Sequence, residues 1–286
     1  MAGAAAGRID LATEVAEGFA VPPFGVPLES LAALTLPDGR RLHPRHRSAR
    51  FDDEVIPHVT SAHLACGVHS GDPLLIRRTA ATLVARGIRL GAHPSYPDAF
   101  GFGQRRQVMP DEDVKAVLLY QFGALAAILR GIGARMEHVK CHGALAFDVS
   151  YEERFCAVMV DAVKTFDPEL IVVLMAGSPG LDYGRGQGLR VASEGYVDRG
   201  YDRSGRLVPR DHPQALIEGA DRAAARVAEF VCEGKVTCVD GTRIDLHVDT
   251  LCLHSDTAGA GATAAAVSAV LSTRNLVKAP LRDLIA

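Results

Sequence analysis

Short aliphatic and β-branched runs that stop abruptly in polar residues recur along the chain and predict seven strands: Arg8 to Ala12, Val59 to Cys66, Ile88 to Ala92, His138 to Cys141, Leu170 to Met175, Leu189 to Ser193 and Thr250 to Leu253. Between many of them, apolar residues fall at helical spacing over Pro73 to Ala85, Asp111 to Arg130, Tyr151 to Thr165 and Pro213 to Cys232, with proline or acidic residues near several starts. The Ala-rich stretch Gly259 to Leu271 reads as one more helix. Strands alternating with helices predict a parallel sheet. A closed α/β barrel explains why polar residues collect just after the strands, where barrel sites are built. An open doubly wound sheet is the alternative, and it places ligands at the same strand ends.

Two segments break the alternation. Residues 20–50 contain five prolines, little periodicity and several basic residues, so they read as an insertion or lid. The stretch Lys235 to Asp249, centred on Asp240-Gly241, alternates as a β-hairpin attached to the barrel. The remaining length fits one barrel domain over residues 1–286.

Composition narrows the function classes. A net charge of −3 gives no broad basic face for nucleic acid, and the basic run Arg40 to Arg50 is short and interrupted. No apolar stretch approaches the roughly 20 residues needed to span a bilayer, and Met1 to Gly7 lack a basic n-region, so no membrane or export role is expected. Six scattered cysteines without a Cys-x-x-Cys pair read as reduced thiols of a cytoplasmic protein. A homo-oligomer is compatible with all of this.

The densest chemistry lies in His138-Val139-Lys140-Cys141-His142-Gly143, where strand alternation puts His138, Lys140 and His142 on one face. Such a face is costly to bury unless its members are paired or working. The same parity gathers Asp10, Ala12 and Glu14, then His63 with His69, and later His254 with Asp256. Carboxylate and imidazole together suit a divalent metal or proton transfer, with His69 and His93 joined by Asp10 or Glu14 as the expected ligands. Arg105 and Arg106, in a glycine-rich loop after His93, are candidates to grip a substrate carboxylate or phosphate. The charged group Glu194, Asp198, Arg199 and Arg210 reads first as salt bridges. Neither a dinucleotide fingerprint nor a phosphate-binding P-loop occurs.

Read together, Ile9-Asp10-Leu11, Glu17-Gly18-Phe19, Thr60 to Pro73, Gly91-Ala92-His93-Pro94, Tyr120 to Leu125, His138-Val139-Lys140, His142-Gly143-Ala144-Leu145, Asp198-Arg199 and Cys252-Leu253-His254-Ser255-Asp256 resemble the LamB/YcsF family across nearly the whole chain. The resemblance implies a seven-stranded parallel barrel of the glycoside hydrolase/deacetylase type. It also implies the ring-opening role in an ATP-dependent 5-oxoprolinase, a hydrolase of a small lactam, in which partner subunits B and C handle ATP. On that reading Asp10, Glu14, Lys140 and His142 carry the catalysis, while His63, Arg105, Arg106, His254 and Asp256 bind substrate. Four departures stand out. The family pattern Asp-Leu-Asn-x-Asp-Leu-Gly-Glu becomes Asp10-Leu11-Ala12-Thr13-Glu14-Val15-Ala16-Glu17, Ser-Ala-Asn becomes Ser61-Ala62-His63, and His-Gly-Ala-Leu-Tyr-Asn ends here in Ala146-Phe147. The 20–50 region is also longer. Such changes retune which substrate groups a pocket can satisfy, so another cyclic amide stays open. The competing readings are a stand-alone metal-dependent deacetylase-like hydrolase and a non-catalytic, complex-forming protein.

Overall fold

The computed structural model describes residues 7–18, 49–256 and 259–285, so the expected insertion at 20–50 lies outside the described residues apart from its last two. Strands β1 (Arg8–Val15), β2 (Ser61–Ala65), β3 (Arg89–His93), β4 (His138–Val139), β5 (Ile171–Met175) and β6 (Val191–Tyr196) alternate with helices. They are followed by β7 (Lys235–Thr237), β8 (Arg243–Asp245), β9 (Thr250–Leu253) and β10 (Val277–Lys278). β1 to β6 pair in parallel in chain order, β6 pairs with β9, and β9 pairs back onto β1. The result is a closed seven-stranded parallel barrel. β10 adds a short parallel pairing to the start of β1, and β7 with β8 forms the expected antiparallel hairpin beside the barrel.

The helices are α1 (Ala49–Val55), α2 (Pro73–Ala85), α3 (Asp111–Arg130), α4 (Gly143–Tyr151), α5 (Glu153–Phe166), α6 (Pro179–Gly186), α7 (Ala220–Ala228) and α8 (Ala260–Thr273). Local chemistry sets their ends. Pro73 opens α2 while the Asp72 carboxylate accepts the Leu74 and Leu75 N–H groups at 2.9 and 3.0 Å. α3 starts on Asp111, Glu112 and Asp113 and ends on Arg130, charges that complement its dipole.

Two expected helices change. Tyr151 to Thr165 is interrupted where Glu152 is extended, and α4 precedes it; α4 is apolar almost all round, so it shows no helical polar face in the sequence. Pro213 to Cys232 shortens to α7, because Leu216 bridges to Arg199 and Gly219 takes a φ of 94°. α7 then loosens into a π-turn over Glu229–Glu233, closed by Gly234 in the left-handed region.

Alternation sends one set of side chains to the packed helices and the other into the barrel. At the N-terminal end of the interior, Leu281 packs with Ile171, Val173 and Ala192. At the same level the buried Asp10 carboxylate accepts hydrogen bonds from Thr60 and Ser61 at 2.8 and 2.6 Å and from Thr250 at 2.6 Å. Above it lie buried imidazoles: the His138 ring meets the His63 ring edge-on at 4.7 Å. A Cβ at Gly91 would sit 2.1 Å from that His138 ring, so only glycine lets the ring cross β3. No described helix is long and apolar enough to cross a membrane, and all six cysteines are unpaired.

Candidate active site

β1 delivers Glu14 to the C-terminal mouth of the barrel. Alternation would then turn Glu17 away, but Ala16 adopts a φ of 58° and redirects the chain. Asp52 on α1 fixes this turn by accepting the Ala16 N–H at 2.9 Å. Ser255 Oγ lies 2.8 Å from both Asp52 Oδ1 and the Glu14 carbonyl oxygen, tying the turn to the end of β9. Glu14 and Glu17 thereby face the same interior despite their odd spacing.

Around Glu14, Lys140 Nζ lies 2.8 Å from Oε1, and the same ammonium reaches Glu194 at 2.9 Å and donates to Cys252 Sγ at 3.1 Å. Burial pushes the Glu14 carboxyl up, but Lys140, His93 and His254 outweigh it and hold the group well below the usual range. Burial likewise disfavours the Lys140 ammonium, and the neighbouring Cys252, Glu14 and Glu194 raise it well above an ordinary lysine. The pair is therefore ionised.

Around Glu17, Oε1 lies 3.1 Å from His69 Nε2, 3.3 Å from His142 Nδ1 and 3.7 Å from His93 Nε2. The His69 and His142 rings stack at 4.0 Å. Burial first, then neighbouring imidazoles, holds His69 and His142 well below the usual range, so both are neutral. Glu14, Glu17, His93 and His142 each bring one ligand-type atom within 4.8 Å of the others. A second group, Glu14 with Cys252 and His254, is also this compact, but its sulfur accepts from the Lys140 ammonium at 3.1 Å and burial holds the Cys252 thiol well above its usual range, in the protonated form that is a poor ligand.

His254 behaves differently. Burial lowers it, but Asp198 and Glu14 more than compensate and raise its pKa, while its Nε2 faces Glu14 Oε2 at 3.7 Å. It stacks at 5.8 Å on Tyr196, whose hydroxyl burial keeps well above the usual tyrosine range.

These groups open onto a cavity of about 520 Å³ lined by Glu14, His142, Tyr196, Arg199, Arg210 and His254, with Ala146, Phe147, Met175 and Phe102 among its apolar wall. The expected site residues separate accordingly. Glu14, His142 and His254 face the cavity, and His93 and His69 lie behind His142. Lys140 sits beneath Glu14 and does not line the cavity, and Asp10 belongs to the hydroxyl network at the barrel floor. His63 packs against His138 with neither ring nitrogen bonded to a described residue, and burial holds it well below the usual range.

Arg105 and Arg106 are engaged elsewhere. Arg105 chelates Asp98, and Arg106 reaches Asp148 at 3.1 Å and Glu152 at 2.6 Å; neither lines the cavity. The arginine that faces the cavity without a hydrogen bond or ion pair to a described residue is Arg210. Asp256 is likewise outside the lining. Glu17, Glu194, Tyr196 and Arg210 are the site's additions. Glu194 and Tyr196 share a face of β6, which alternation would have shown had that strand been read past Ser193.

A profile of the LamB/YcsF family matches residues 43–286. The A subunit of 5-oxoprolinase from Pyrococcus furiosus is 40% identical over 235 residues, covering 82% of this chain and 92% of that protein. Its counterpart from Methylococcus capsulatus is 43% identical over 230 residues, covering 80% and 88%. The crystal structure of the lactam utilization protein from Thermus thermophilus superposes with a TM-score of 0.79 at 35% identity, covering 95% of this chain and 98% of that one.

Proposed function

Because the chain belongs to the LamB/YcsF family, we propose that it is the ring-opening component of an ATP-dependent 5-oxoprolinase, producing glutamate together with B and C partner subunits. The observation that carries this reading is the cavity where a fixed carboxylate, a proton-bearing imidazole and an uncommitted guanidinium meet. A small lactam carrying a carboxylate presents complementary groups. Arg210 binds the substrate carboxylate in two parallel hydrogen bonds. Tyr196 donates to the ring carbonyl oxygen, and Glu14 holds the attacking water.

Amides resist hydrolysis because the leaving nitrogen is basic and the carbonyl carbon is a poor electrophile. Phosphoryl transfer from ATP to the carbonyl oxygen, assigned to the partners, activates that carbon. Water then adds to it, the carbon–nitrogen bond breaks as the ring nitrogen leaves as an amine with a proton from His254 Nε2, and a second water hydrolyses the resulting acyl phosphate to the glutamate carboxylate and phosphate. The chain has no P-loop of its own, which suits this division of labour.

A second reading, an ATP-independent amide hydrolase, is favoured by the convergence of Glu14, Glu17, His93 and His142. One assay separates the two. Glutamate is measured from 5-oxoproline with the chain alone, with B and C partners, and with partners plus ATP. Turnover only in the complete mixture is expected; turnover by the chain alone gives the second reading, and no turnover beside partners verified with a different, active A component overturns both for this substrate.

A further inference from the structure

The hydrogens of His93 and His142 are fixed by their outer neighbours. His93 Nδ1 lies 2.8 Å from the Lys140 carbonyl oxygen, and His142 Nε2 lies 2.8 Å from the Phe102 carbonyl oxygen, nearer than its other polar neighbour, Gln104 Nε2 at 3.3 Å. A carbonyl oxygen only accepts, so each of those nitrogens carries the hydrogen, and each imidazole in its neutral form turns a lone pair inward. Those two lone pairs, on His93 Nε2 and His142 Nδ1, face each other across 3.0 Å. Glu17 Oε1 adds a third electron pair, 3.3 and 3.7 Å from these nitrogens, and Glu14 Oε1 a fourth, 3.5 Å from His93. Four acceptors thus converge in a buried space, the two carboxylate oxygens each also held by a donor, Glu14 by Lys140 Nζ at 2.8 Å and Glu17 by His69 Nε2 at 3.1 Å, with no hydrogen between the two facing imidazole nitrogens.

We propose that this chain holds one divalent transition-metal ion of the zinc class between Glu14, Glu17, His93 and His142. Ligand bonds of about 2.0–2.2 Å in a tetrahedral site place neighbouring ligand atoms about 3.3–3.6 Å apart. The contacts at 3.0, 3.3, 3.5 and 3.7 Å bracket that spacing, and all four ligand atoms lie within 4.8 Å of one another. Two carboxylates and two imidazoles suit zinc, cobalt or manganese rather than magnesium or calcium, which take oxygen. The outer shell is that of a metal site: each ligating imidazole donates its other N–H to a backbone carbonyl. Phe102 reaches its position only by taking a φ of 54°, a cost that the aim of its carbonyl at His142 accounts for.

His69, the ligand expected from sequence, acquires another task. Its Nε2 donates to Glu17 Oε1 at 3.1 Å and its ring stacks on His142, so it orients two ligands without offering a lone pair to the ion.

The full chain, stripped with a chelator, is titrated calorimetrically with zinc, and the visible spectrum of the cobalt-loaded protein is recorded. One equivalent of zinc and intense ligand-field bands of low-coordinate cobalt are expected, with at least tenfold weaker binding in Glu17→Gln and in His93→Phe. Circular dichroism and melting of each metal-free variant establish folding; if either fails to fold, Glu14→Gln takes its place. The absence of binding by zinc, cobalt and manganese, or unchanged affinity in the folded variants, overturns the site. The titration contains no lactam, nucleotide or partner subunit, so a protein that binds metal yet opens no lactam loses the functional reading and keeps this one.

Discussion

His254 Nδ1 lies 2.9 Å from both carboxylate oxygens of Asp198, and the His254 backbone N–H donates to the same carboxylate at 3.1 Å. The carboxylate holds the ring with its other nitrogen toward the cavity and favours its charged form. The pKa of His254 is raised in the folded state, so its stabilising contribution is full below the unfolded value of about 6.5 and is lost as pH rises through the folded value. Turnover that uses His254 as an acid should fall along the same rise. In Asp198→Asn the alkaline limb of the pH–rate profile should shift toward lower pH, whereas an unmoved limb would remove His254 as the proton donor.

The carboxylate of Asp10 is expected to be structural. Burial raises it to about 6 despite three hydroxyl donors, and Asp10→Ala leaves Thr60, Ser61 and Thr250 without their shared acceptor. A loss of roughly 2–4 kcal/mol in urea unfolding is expected, from about 1–3 kcal/mol for unsatisfied buried groups plus the cavity left behind. Asp10→Asn should keep most of the turnover. Complete loss of turnover in a fully folded Asp10→Asn protein would return Asp10 to the chemistry.

Ala16 carries a conformational cost where the family pattern has glycine. With φ at 58°, Ala16→Gly should raise stability by roughly 1 kcal/mol, the left-handed penalty of about 1–2 kcal/mol less the extra entropy glycine gives the unfolded chain. Chemical denaturation of the two proteins side by side reads this directly; a destabilised glycine variant would mean that the Ala16 methyl packs better than its backbone suggests.

Arg210 should discriminate between lactams. Arg210→Met is expected to raise KM for 5-oxoproline by roughly 10–100-fold, the scale of a lost charge-assisted hydrogen bond of about 1.5–3 kcal/mol. It should leave the KM for 2-pyrrolidinone, which has no carboxylate, within a factor of a few. An equal rise for both lactams would show that Arg210 shapes the cavity without reading charge.

The strand-and-helix alternation is legible in the sequence where a ladder strand is an apolar run buried on both faces, as in Ile171–Met175. α4 is not, because a helix buried on most sides has no polar stripe to set its period. In the site, parity finds Glu14, Lys140 and His254 because they sit on or beside regular strands. It misses Glu17 because one left-handed residue, Ala16, resets the alternation, and sequence gives alanine no such signal. Arg105 and Arg106 look like anion binders by type. Their carboxylate partners Asp98, Asp148 and Glu152 lie up to 46 positions away, where only the folded chain shows that the two guanidiniums are already engaged.

The seam that closes the ring joins Asp10 on β1 to Thr250 on β9, residues 240 positions apart. At a synthesis rate of about 5–20 residues per second, β1 leaves the ribosome roughly ten to fifty seconds before its second neighbour exists. Throughout that interval one side of the first strand offers bare N–H and C=O groups to any other extended chain. A translation product that stops short of Thr250 therefore lacks the strand that closes the ring and leaves the β1 and β6 edges of the sheet without their partner.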